Sequence, residues 1–91
     1  MQYVYPAVLH AEANGEYSAL FPDLKGCVTQ GKDLPETLYE AQDALNFWLE
    51  FLEDEGLVIP APSDIRTLKL EENQIATLIL ADTKKRRLNG K

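Results

Sequence analysis

The sequence holds one cysteine, one histidine and no apolar run that approaches 20 residues. Each shortage removes a class of protein. One cysteine makes no internal disulfide, and with one histidine it makes no Cys/His zinc site. Without a long apolar run there is no membrane-spanning helix. The opening MQYVYPAVLH lacks both a basic flank and a small-residue cleavage site, so it does not read as a signal peptide. A reducing compartment, the cytoplasm, fits these features. Positive charge is also scarce. Residues 1–83 carry 4 Lys or Arg against 15 Asp or Glu, a net −11, while residues 84–91 (KKRRLNGK) carry 5 positive charges and no negative one. An acidic body repels nucleic acid and favours a basic partner. The plainer reading of the same acidity is solubility.

Ninety-one residues, 45% hydrophobic and 26% charged, suit one small globular domain. Residues 1–83 are read as that domain and 84–91 as a basic tail. Residues 3–10 read as a strand, with Tyr3, Tyr5, Ala7 and Leu9 on one face. Pro6 sits awkwardly there, because proline cannot donate to a ladder. Asn14-Gly15 predicts a two-residue hairpin turn with both positions at positive φ. Glu16–Phe21 is the return strand. Pro22–Gly26 is a turn, and Cys27–Gln30 a third strand ended by Gly31.

Asp33 with Glu36 forms a capping box, followed by a helix of about 20 residues. Its buried stripe runs Leu34, Leu38, Ala41, Leu45, Trp48, Leu52, widened by Ala44, Leu49 and Phe51. Gly56 is the stop signal. A proline-stiffened connection follows at 57–64. Ile75–Ala81 is apolar on both faces, which suits a parallel strand covered on both sides, or one covered by a helix and a partner. The order is β-β-β-α-β, an α+β fold with one long helix packed on one face of the sheet. The helix is expected to return the fourth strand parallel to the third or the first. The apolar strand 75–81 also offers an edge or face for homodimer formation.

Few residues suggest chemistry. His10 has no orienting partner nearby in sequence and reads as a strand residue. Cys27 reads as a small buried hydrophobe. Tyr3, Tyr5, Tyr17, Phe21 and Trp48 could form a base-stacking platform, but the strands lack the basic residues that such a platform needs. The helix carries Asp33, Glu36, Glu40, Asp43, Glu50, Glu53, Asp54 and Glu55 with no basic residue among them. Glu36, Glu40 and Asp43 share one face by spacing. They read as a solvated face or a docking surface for a basic protein. A metal-dependent hydrolase would need a converging set of acids, and no Asp-x-Asp or His/Asp cluster supplies one. No metal or cofactor is expected.

The run Phe21-Pro22-Asp23-Leu24-Lys25-Gly26-Cys27-Val28-Thr29-Gln30-Gly31 resembles the FPDLPGCxTxG signature of HicB-like antitoxins, with lysine in place of one proline. Its setting is similar too. Tyr5-Pro6-Ala7-Val8 and Asn14-Gly15-Glu16-Tyr17 precede it, and a Glu- and Ala-rich helix and Pro60-Ala61-Pro62-Ser63 follow. The likeness covers about residues 3–81. It implies a partial ribonuclease H-like fold without catalysis, and a first strand that is central in the sheet. It also implies a partner, a small basic RNA-cleaving toxin of the HicA type, in a type II toxin–antitoxin system. Glu12, Glu16, Tyr17, Phe21 and Asp23 are then candidate toxin contacts, with Glu36, Glu40 and Asp43 as a second surface. Many family members continue into a C-terminal DNA-binding domain. Residues 84–91 would then be a linker or the stump of an absent domain. The other readings are a DNA-binding autoregulator acting through Lys84, Lys85, Arg86 and Arg87, and a metal-dependent nuclease of the ribonuclease H type.

Overall fold

A computed structural model describes residues 1–83. Strands β1 (Gln2–Ala11), β2 (Tyr17–Leu20), β3 (Val28–Gly31) and β4 (Gln74–Asp82) form one sheet in the order β3-β2-β1-β4. Every neighbouring pair is antiparallel. Helix α1 (Leu34–Asp54) packs on one face of this sheet, which gives the expected α+β architecture. A 3-10 turn at Ile65–Thr67 interrupts the long connection to β4.

The central position of β1 is compatible with Pro6 because of register. Alternate residues of an antiparallel strand point their backbone groups to opposite neighbours. Glu12 N donates to Glu16 O, so the even residues of β1 face β2. The β1–β2 ladder ends at the pair Val8 and Leu20. Pro6 therefore lies one step past the last rung, where no donor is required, while its other side pairs in register with Leu78.

The hairpin differs from the expected two-residue turn. Gly15 alone takes a positive φ of 90°, and Gly15 N bonds Glu12 O at 3.2 Å while Glu12 N bonds Glu16 O at 2.7 Å. Three residues, Ala13 to Gly15, thus form the loop, a type I turn closed by a left-handed glycine. Asn14 acts instead through its side chain, whose Oδ1 accepts from Glu16 N at 3.1 Å.

Both ends of α1 follow the sequence signals, except that the Glu36 carboxylate of the expected capping box reaches Lys32 N at 3.4 Å. Asp33 Oδ1 accepts from Glu36 N at 2.9 Å. At the other end, Gly56 N bonds Glu53 O and Leu57 N bonds Leu52 O, with Gly56 at φ 66°. This paired pattern is the Schellman ending that a left-handed glycine permits.

The direction of β4 corrects the expectation of a parallel return. The right-handed crossover rule governs a helix that delivers the chain directly to the start of the next strand. Here α1 ends beside the start of β1, where Tyr3 Oη donates to Glu53 Oε2 at 2.6 Å. The connection then climbs back past Pro60, which accepts from Tyr5 Oη, and Ser63, which binds Asp23. It reaches the far end of β1, where Ala11 N bonds Asn73 O at 2.9 Å. Starting there, β4 can only run antiparallel to β1. It is also an edge strand and is not covered on both sides: Ile75, Leu78 and Leu80 are each about half exposed.

The core joins Tyr5, Ala7 and Leu9 of β1, Ala19 of β2, Ile79 and Ala81 of β4, and Ala41, Leu45 and Leu49 of α1. Phe21, Leu24 and Cys27 from the β2–β3 turn complete it. Leu34, Leu38, Ala44, Trp48 and Leu52 are half-buried against it, as the helical stripe predicts, whereas Phe51 is 50% exposed. At Gly31 the sheet meets the helix start. A Cβ there would lie 2.6 Å from both Thr37 N and Thr37 Oγ1.

Gly31→Ala should therefore destabilise the fold by about 1–3 kcal/mol through overpacking against helix backbone. Urea denaturation reads this directly. An unchanged midpoint would show that the helix start can shift without cost.

Candidate protein-docking surface

With about 100° between successive residues, one face of α1 is committed to the core and the opposite face to solvent. That outer arc of about 120° gathers Glu36, Glu40, Asp43 and Asp54, with Glu50 in the same arc but half-buried. Three aromatics lie in the same arc: Tyr39 at 68% exposure, Phe47 at 60% and Phe51 at 50%. The stripe runs about 27 Å at 1.5 Å per residue. Soluble helices rarely expose three large aromatics in one line, and such a patch rimmed by charge marks an interaction surface. Carboxylates steer a cationic partner, and aromatic rings supply the area that holds it. Glu36 is partly spent locally. Its carboxylate lies 3.4 Å from Lys32 N and 4.0 Å from Lys32 Nζ.

Of the residues singled out by sequence, Glu36, Glu40 and Asp43 thus come together. Glu12, Glu16 and Tyr17 meet at a second place, around a shallow open groove at the hairpin that Ser18 and Gln30 also line. Glu12 is held there by Ser18 Oγ, which donates to its Oε2 at 3.2 Å. Tyr17 pairs with Gly31, so this groove lies at the same end of the sheet as the first turn of α1. The aromatics Tyr39 and Phe47 were not picked out by sequence reasoning. The helical projection that buries Leu45 places both beside Asp43, and that was the available signal.

Two signature residues do structural work. Phe21 is 2% exposed and belongs to the core, so its ring offers no contact surface. Asp23 is half-buried and accepts from Ser63 N at 2.8 Å and from Ser63 Oγ. It clamps the β2–β3 turn to the PAPS segment. Tyr5 adds a second tie through Pro60 O, and its hydroxyl pKa is raised by burial and by the charge of Asp23. Glu53 is likewise occupied, accepting from Tyr3 Oη at 2.6 Å and Thr83 Oγ1 at 3.0 Å. Burial, reinforced by Glu53, pushes Tyr3 up to about 12.

Burial pushes the Cys27 thiol up to about 11, away from the nucleophilic thiolate, and its Sγ lies 3.9 Å from Ala44 O. His10 is a half-buried strand residue paired in register with Ser18 and Gln74. Among the described residues no group of three or more His, Cys, Asp or Glu could hold a metal ion. No helix among them is long and apolar enough to cross a membrane. Lys84, Lys85, Arg86 and Arg87 lie outside the described residues.

Residues 5–91 match the family described as "HicB_like antitoxin of bacterial toxin-antitoxin system". Antitoxin HicB of Escherichia coli (strain K12) is 32% identical over 63 residues, which is 69% of this chain and 46% of that protein. This chain matches under half the length of that relative. A chain in a toxin–antitoxin complex from Streptococcus pneumoniae shares the fold at a TM-score of 0.85 with 23% identity, covering 93% of this chain and 72% of that one. A chain of a HicA3 and HicB3 toxin–antitoxin complex is 27% identical with a TM-score of 0.70, covering 88% and 99%.

Removing the clamp with Asp23→Ala should cost about 1.5–3 kcal/mol, the range for hydrogen bonds to a charged group. Cleavage by added protease within residues 57–64 should rise in parallel. Unaltered melting and proteolysis would show that the clamp carries no stability. The thiol makes a second expectation. Cys27 should resist alkylation at pH 8 until the protein unfolds. Its pKa rises from an ordinary 9.0 to about 11 on folding, so its contribution is complete below pH 9 and is lost between about pH 9 and 11. The unfolding free energy should fall across that window, and Cys27→Ala should flatten the fall.

Proposed function

The chain belongs to the HicB-like antitoxin family of bacterial toxin–antitoxin systems, and we propose that it neutralises a small basic RNA-cleaving toxin of the HicA type by binding it directly, with no chemistry of its own. The observation that carries this reading is the solvent face of α1. Exposed Tyr39, Phe47 and Phe51 lie there among Glu36, Glu40, Asp43 and Asp54. A surface that binds RNA must itself be cationic, so it complements this stripe. The net −11 of residues 1–83 raises the encounter rate, and the aromatic rings slow dissociation. The groove at Glu12, Glu16 and Tyr17 is a smaller acidic surface at the hairpin end. The cytoplasm, where the RNA substrates of such a toxin are found, is the place of action. The same negative field opposes DNA binding by residues 1–83, so the autoregulator reading rests on residues 84–91 alone.

The test is to mix the full chain with the toxin encoded beside it, at low and high salt. A complex should form at low salt, with association slowing as salt rises. The variant Glu40→Lys should slow association severalfold while leaving the melting temperature unchanged. Phe47→Ala should speed dissociation by a factor on the order of 10 or more, as a buried aromatic anchor does. No complex at low salt, or RNA hydrolysis by the chain alone, would overturn the reading.

A further inference from the structure

We propose that Lys25 sets partner specificity at the α1 surface, because it demands a carboxylate on the toxin beside a surface that otherwise demands cations. The inference rests on the toxin-binding reading above and names one residue of that interface.

The backbone around Lys25 suits a different residue. Cys27 N bonds Leu24 O at 2.9 Å, Gly26 takes a φ of 97°, and no other residue type has a positive φ among the described residues. Leu24 to Cys27 is therefore a type II turn with Lys25 at its second position, where φ lies near about −60°. Proline is pre-set for that place. The N–H that proline would remove from residue 25 has no backbone acceptor among the described residues. Lysine thus forgoes the stability that proline brings by narrowing the unfolded ensemble.

Nor is the charge used within the chain. Residues 1–83 hold 4 cations against 15 carboxylates. Arg66 pairs with Asp64 at 2.6 Å and Lys32 lies 4.0 Å from Glu36, but Lys25 enters no ion pair among the described residues. It is exposed. Neither turn geometry nor neutralisation of a neighbouring acid accounts for a lysine at this position.

Its location supplies the account. A Cβ on Gly26 would lie 3.2 Å from Trp48 Cη2, so the turn is seated against one flank of α1. Cys27 Sγ lies 3.9 Å from Ala44 O on the same flank. Phe47 follows Ala44 by three residues and Phe51 follows Trp48 by three, so both exposed rings stand on the Lys25 side of the outer arc. Lys25 thus rims the aromatic anchors. A cationic partner is drawn to Glu40, Asp43 and Asp54 and repelled at this rim. A partner that carries a carboxylate there turns the repulsion into an ion pair, whereas one that is basic throughout cannot. Discrimination of this kind comes from a repulsive element, and the rim pair itself adds little affinity.

Net charge and this inference predict opposite signs for one variant. Lys25→Glu makes the chain more negative by two charges, which by steering alone would speed and tighten binding of a basic toxin. With the full chain and the toxin encoded beside it, Lys25→Glu should instead weaken the complex about tenfold, because it sets like charges together at the anchors. Lys69→Glu, the same change of charge on the connection to β4, should not weaken it. One carboxylate-to-lysine change on the toxin should restore tight binding to Lys25→Glu. Lys25→Pro should raise the melting temperature by about 2–6 °C while weakening the complex severalfold. Tighter or unchanged binding by Lys25→Glu, an equal loss through Lys69→Glu, or failure of every toxin carboxylate change to restore binding overturns the inference and leaves the toxin-binding reading standing. So does a lower melting temperature for Lys25→Pro, which would show that the lysine serves the turn. No complex with the unsubstituted chain overturns both.

Discussion

Ala41, Leu45 and Leu49 of α1 are fully buried in one cluster with Tyr5, Ala7 and Leu9 of β1, and this contact sets the position of everything else. Alanines at 7 and 41 let helix and sheet approach closely, while each buried leucine contributes about 1.5–3 kcal/mol. Period 3.6 on the helix and period 2 on the strand meet along this seam. Once it is formed, the remaining helix face has one orientation. The acids and aromatics from Glu36 to Asp54 are therefore displayed on a rigid rod, which lowers the ordering cost of binding.

The residues that make the family recognisable are mostly not the ones proposed to touch a partner. Phe21 fills the core, Asp23 clamps Ser63, and Gly31 admits the helix start. Tyr5 reaches Pro60 from the middle of β1. A turn motif and a proline segment about 40 positions later are thus two halves of one fastening. Such a fastening fixes the fold, and the partner-facing surface can vary around it.

How far the sequence could be read followed the range of the forces involved. Local signals were reliable: the Asp33 cap, the Gly56 stop and the helical stripe are decided within a few residues. The element order β-β-β-α-β was legible for the same reason. The direction of β4 was not, because it depends on where a connection between Gly56 and Gln74 leads, and that is set by distant ties to Asp23, Tyr5 and Ala11. The Asn14-Gly15 pair signalled a hairpin correctly but not its three-residue loop. In the candidate surface, the helix acids were found by spacing. The exposed Tyr39 and Phe47 went unnoticed, and Phe51 was placed in the core, because aromatic residues are assumed to be buried unless each is projected onto the helix.

The pairing of the first and last described residues has a consequence for how the chain is threaded. Thr83 N bonds Met1 O at 3.1 Å, so the beginning of β1 and the end of β4 lie side by side. In a variant without residues 84–91, a short linker from Thr83 back to Met1 would close the backbone into a ring without disturbing the sheet. The ring could then be opened at the exposed loop Ala13–Gly15, giving a circular permutant whose new termini lie at the opposite end of the molecule.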